Sequence, residues 1–99
     1  MEIPSEILTL WEQYSSTAFP KGYGGKEING MDLSFLDAEI AGFVRMYLSD
    51  GKLDYHRMQN LRERVLELNT ILLMLESEEL AYFSRLRELA NLVLQEAGK

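Results

Sequence analysis

The sequence predicts a mainly α protein of three to four helices, at about 5–15, 35–49, 55–76 and 78–97, with a short β-hairpin or glycine-rich loop at about 20–33. Three observations lead there. Apolar residues recur at steps of three and four along most of the chain, the period of a helix face. Four of the seven glycines fall between residues 17 and 33, so irregular backbone is concentrated in one place. At 99 residues and 46% apolar content, the chain is one domain with enough apolar surface for a single core.

The first helix spans about 5–15, where Ile7, Leu8, Trp11 and Tyr14 make a narrow aromatic stripe. Pro4 suits the entrance and Glu6 complements the positive end of the helix dipole. Ser15, Ser16 and Thr17 weaken the far end. Three turns are marginal alone, so this helix must dock its Trp11 and Tyr14 face on the rest of the protein.

Between residues 17 and 33, Asn29-Gly30 is a hairpin signal, because both central positions of a type I′ turn need positive φ. Lys26-Glu27-Ile28 and Met31-Asp32-Leu33 would pair as two short strands held down by apolar contacts. The second helix is expected to begin at Ser34, with Asp37 three residues on, and to bury Leu36, Ile40, Phe43, Val44, Tyr47 and Leu48. Asp50-Gly51 stops it, and Asp54 caps the third helix after a tight connection that makes the two helices antiparallel neighbours.

From residue 58 onward the pattern is most regular. Met58, Leu61, Val65, Leu68, Leu72, Leu75, Tyr82, Leu86, Leu89 and Val93 occupy ten of twelve heptad seam positions, with Glu79 and Glu96 as the exceptions. Glu76-Ser77-Glu78-Glu79 reads as the start of a fourth helix, folding the segment into a hairpin. The other reading is one rod of about 43 residues, roughly 64 Å long. Ile71 to Leu75 is apolar around the whole helix circumference and is expected to be enclosed on every side. A second copy of the chain is the natural supplier, so the seam is expected to form the core or a homodimer interface.

Composition excludes several functions. The net charge of -6 opposes general nucleic-acid binding, which needs clustered bases to neutralise phosphate. That charge is uneven: residues 1–54 carry nine acids and four bases, residues 55–99 seven and six. A chain without cysteine has neither a thiol nucleophile nor a thiolate metal site. No secretory leader or membrane span is legible, so the expected location is cytoplasmic.

Chemistry-bearing motifs are few. His56 is the sole histidine, with no companion ligands or nucleophile at a meaningful spacing. Asp50-Gly51-Lys52-Leu53-Asp54 fails as a calcium loop, because the first, third and closing ligand positions fall on Met46, Leu48 and Arg57. Lys21-Gly22-Tyr23-Gly24-Gly25-Lys26 satisfies no phosphate-loop pattern. Asp32, Asp37 and Glu39 read as a solvated, dipole-compensating group. No cofactor and no catalytic set is expected.

The sequence therefore favours a non-catalytic protein–protein interaction or regulatory module, homodimeric through the two C-terminal helices and with a further protein partner of unknown identity. Trp11, Phe19, Tyr23, Gly24, Gly25 and Lys26 form the candidate contact loop. Two other readings stand beside it: a binder of small molecules or anions, enzymatic or not, using residues 21–30, and an acidic inhibitor or immunity-type protein covering a basic site.

Overall fold

The computed structural model describes residues 3–22 and 26–99. Helix α1 runs over Ser5–Ser15, strands β1 and β2 over Glu27–Ile28 and Met31–Asp32, and helices α2, α3 and α4 over Leu33–Asp50, Tyr55–Leu72 and Ser77–Ala97. The architecture is mainly α, with four helices and one small antiparallel hairpin.

Each boundary has a local cause. At the end of α1 the hydroxyls of Ser15, Ser16 and Thr17 donate to the carbonyls of Trp11, Glu12 and Gln13 at 2.7, 2.8 and 2.7 Å. The Glu12 carbonyl also accepts the Ser16 N–H at 3.1 Å, while that of Gln13 is among the last four, which a helix leaves without an in-helix partner, so the run that weakens the helix also closes it. Asn29 and Gly30 have φ of 55° and 77°, the double positive φ of a type I′ turn. Glu27 pairs with Asp32 and Ile28 with Met31, and the Leu33 N–H donates to the Lys26 carbonyl at 3.0 Å.

Helix α2 starts earlier than Ser34. The cap is Asp32, whose Oδ1 accepts from the Phe35 N–H at 3.0 Å. The last residue of the hairpin thus doubles as the helix cap, and Leu33 goes straight from the ladder into the core. Gly51, at φ 75°, ends α2 and sends its N–H to the Tyr47 carbonyl. Asp54 caps α3 as expected, and the Arg57 N–H bonded to its carboxylate holds that carboxyl below its ordinary range.

The C-terminal segment is a hairpin. The molecule is 39 Å in its longest dimension, too short for the rod. Helix α3 ends at Leu72, and the chain tightens through N–H bonds from Met74 to Ile71 and from Leu75 to Leu72, at 2.8 and 3.3 Å. This changes the Ile71 to Leu75 turn. Ile71, Leu72 and Leu75 are buried within the chain, whereas Leu73 and Met74 point outward. The turn escapes full enclosure because the helix stops before completing it.

Ser77 opens α4 at φ 53°, a conformation that costs an L residue roughly 1–2 kcal/mol. Ser77→Gly should therefore raise stability by about 0.5 kcal/mol, after the extra chain entropy of glycine is subtracted. Urea unfolding checks this, and a loss would show that the Ser77 side chain offsets the backbone cost.

The core lies where α2, α3 and α4 meet, with Leu36, Ile40, Val44, Leu61, Leu68, Leu86, Leu89 and Val93 fully buried. Helix α1 packs on α4 through Ile7 and Tyr14. Arg64 on α3 reaches Glu39 on α2 at 3.2 Å and Glu67 at 2.7 Å, tying one flank of α3 to α2. Burial alone would lower the Arg64 pKa, but these two carboxylates raise it.

Candidate interaction surface

Helical geometry divides α3 into three strips. Leu61, Val65, Leu68 and Leu72 face the core, and Arg64 turns toward α2. Tyr55, Gln59, Arg62, Leu66, Asn69 and Leu73 recur at alternate steps of four and three on the flank away from α2. Tyr55 is 69% exposed, Leu66 64% and Leu73 89%. Polar atoms link the first half of this strip: Gln59 Nε2 donates to Tyr55 Oη at 2.8 Å, and Arg62 donates to Gln59 Oε1 at 3.1 Å.

The far end of the strip is more apolar. Met74 is 57% exposed in the turn beside Leu73, and Leu80 is exposed in the first turn of α4. Leu80 lies seven residues before Arg87, whose guanidinium reaches Asn69 on α3 at 3.4 Å. Leu80 therefore sits on the side of α4 nearest this strip. Glu76, Glu78 and Glu79 surround that end, Lys52 precedes the other and Arg62 lies near the middle of α3. Among the described residues, none of these five charges has an ion-pair partner.

A second polar feature is partly buried between helices. The hydroxyls of Tyr14 on α1 and Tyr82 on α4 both donate to Asp37 Oδ1 on α2, at 2.7 and 2.9 Å. Burial raises the Asp37 pKa, outweighing the two hydroxyls that favour the carboxylate. Burial also pushes both tyrosines above their ordinary value. The node joins three helices, and at neutral pH it works as a latch rather than an acid–base pair, because the phenols hold their protons.

The seam residues close inside one chain: Leu61, Val65, Leu68, Leu72, Leu75, Tyr82, Leu86, Leu89 and Val93 are buried, and Met58 is half-buried against them. In the candidate contact loop, Phe19 packs edge-on against Tyr82 and Phe83, with ring centroids 5.5 and 5.9 Å apart. Trp11 stacks beside Tyr14 at 5.6 Å and carries the Arg45 guanidinium over its face at 5.5 Å. Lys26 is exposed beside β1, and Tyr23, Gly24 and Gly25 lie outside the described residues. His56 is exposed in the first turn of α3, with its ring edge-on to Tyr55. Asp32 is a cap and Glu39 an ion-pair partner, so the three grouped carboxylates have three separate structural roles.

The concavities are open grooves. One of about 540 Å³ runs between α1 and α4 past Leu10, Gln13, Ser84 and Asn91, and it shares Ala81 and Arg85 with another of about 350 Å³ beside Thr17 and Pro20. Arg85 bonds to the Thr17 hydroxyl at 3.1 Å where they meet. Among the described residues, no helix is long and apolar enough to cross a membrane and no cluster of three His, Asp or Glu is placed to hold a metal.

The exposed α3 strip was hard to see in the sequence because three of its six positions are polar. Its signal was the pair Leu66 and Leu73, seven residues apart and out of phase with the seam. Comparison with protein-family models, curated proteins and solved structures finds no match.

Proposed function

We propose that this chain is a non-catalytic protein–protein interaction module that associates with a second copy of itself through the α3–α4 hairpin. The carrying observation is the exposure of Leu66 midway along α3 and of Leu73, Met74 and Leu80 at the end where α3 turns into α4. Apolar side chains grouped this way on a small protein mark a surface that is covered in use. The support differs from that expected of the sequence alone. The seam is occupied by the chain's own core, so a second copy meets the outer flank instead.

Sedimentation equilibrium at micromolar concentration tests the reading. The expected mass is that of a dimer, and Leu73→Glu should return it to the monomer with the helical circular-dichroism signal unchanged, because Leu73 contributes little to the core. A wild-type chain that stays monomeric as concentration rises would overturn the reading.

A further inference from the structure

We infer that α1 is a separately releasable arm, which leaves α2 and α4 and unwinds while the three longer helices stay folded, with the Asp37 carboxyl as the latch that holds it closed.

Burial is the first support. Helix α1 buries two side chains, Ile7 and Tyr14, whereas α2, α3 and α4 bury six, five and six. The layer in which Leu36, Ile40, Leu61, Leu68, Leu86 and Leu89 meet is drawn from those three helices, so it outlasts the loss of α1. Elements with few buried apolar contacts open at a smaller free energy than the core. Eleven residues of helix are marginal in water, so a released α1 unwinds.

The second support is a pivot. Residues 15–18 are all exposed, and on either side of them the chain is held: Tyr14 is buried, Phe19 rests on the rings of Tyr82 and Phe83, and Pro20 is buried. Helix α1 can turn about Ser16, Thr17 and Ala18 without unseating Phe19. The bond from Arg85 to the Thr17 hydroxyl lies at this exposed place, where water offers both groups an equivalent partner.

The third is the latch itself. The Tyr14 hydroxyl is the group on α1 that reaches Asp37, at 2.7 Å, and Tyr82 brings α4 to the same oxygen at 2.9 Å. Opening α1 breaks the first of these bonds and admits water to the carboxyl. Charges on the packed elements are turned to other partners or to solvent. Arg45 on α2 lies over Trp11, Arg64 on α3 holds Glu39 and Glu67, Asp32 of β2 caps Phe35, and Glu12 on α1, Glu27 of β1 and Glu78 on α4 are exposed. The balance on Asp37 is thus struck between burial, which raises its pKa, and the two hydroxyls, which lower it, and burial prevails. The closed arm then binds the proton more tightly than the open one, so acid closes the arm and rising pH loosens it.

Amide hydrogen exchange on the full chain tests the arm, with each rate expressed as protection relative to an unstructured peptide. The Trp11 and Tyr14 amides should be protected at least about tenfold less than those of Leu68 and Leu86. Val65→Ala, in the core on α3, should lower protection at Leu68 and Leu86 about tenfold and leave Trp11 and Tyr14 unchanged. Asp37→Ala should lower protection at Trp11 and Tyr14 by roughly thirty- to a hundredfold, because the two hydroxyls lose their acceptor only while the arm is closed. From pH 4 to pH 8, protection of α1 in the wild type should fall and then level, while in Asp37→Asn it stays flat. Wild-type α1 amides as protected as the core, or falling with it in Val65→Ala, would show that α1 leaves only when the whole chain unfolds and would overturn the arm. Unchanged α1 protection in Asp37→Ala, or a rise with pH in the wild type, would overturn the latch.

Discussion

Phe83→Ala is expected to cost about 4 kcal/mol of stability, a large share of the roughly 5–15 kcal/mol that a domain of this size has to lose. Phe83 is fully buried on α4, and its ring stands edge-on to Tyr82 at 5.1 Å and to Phe19 at 5.9 Å. Removal takes away the transfer free energy of the ring, leaves a cavity and abolishes two aromatic contacts worth about 0.5–1.5 kcal/mol each. Collapse into the space is restricted because Tyr82 is held by its bond to Asp37. Phe19 would lose one of its two ring contacts, so the segment after α1 should loosen with the core. Phe83→Leu fills much of the volume and should cost only about 1–2 kcal/mol. Urea unfolding monitored by circular dichroism checks both. A loss below about 1.5 kcal/mol for the alanine variant would show that the helices close the cavity, contrary to close packing in this layer.

Residue types that act on their immediate neighbours were legible in the sequence. Asn29-Gly30 set the hairpin, Gly51 the end of α2, Asp54 the start of α3, and the heptad from Met58 to Val93 the faces of the two long helices. Each works through local backbone geometry or periodicity, so one sequence is enough to find it. Two features depended on where helices meet. Whether Ile71 to Leu75 is enclosed follows from where α3 stops, and the tightening after Leu72 has no glycine or proline to announce it. Asp37 was read against its own helix, where an acid near the start looks like dipole compensation. Its partners are 23 and 45 residues away, and its burial arises only when α1 and α4 close over α2. One signal did point there. Tyr14 and Tyr82 stand on apolar stripes, and a buried tyrosine needs a partner for its hydroxyl where phenylalanine would not.

That latch yields the other large effect. Asp37→Ala should cost about 2–3 kcal/mol at neutral pH, because it strands two phenolic hydroxyls away from water. Asp37→Asn keeps an oxygen in place of Oδ1 and removes the desolvated charge, so it should be at least as stable as the wild type. The two variants together separate the hydrogen bonds from the charge. Their pH dependence follows from burial, which holds the folded-state pKa of Asp37 above its unfolded value. Between those two values the native chain binds more protons than the unfolded chain, and stability then falls as pH rises. The contribution of Asp37 is thus fully present below the unfolded pKa, near 4, and is lost as pH climbs through the raised folded value. Measured by urea unfolding from pH 4 to pH 8, the wild type should lose stability relative to Asp37→Asn as pH rises and then run parallel to it. A wild type that gains on the asparagine variant over that range would mean that the two tyrosine hydroxyls stabilise the carboxylate by more than burial costs it.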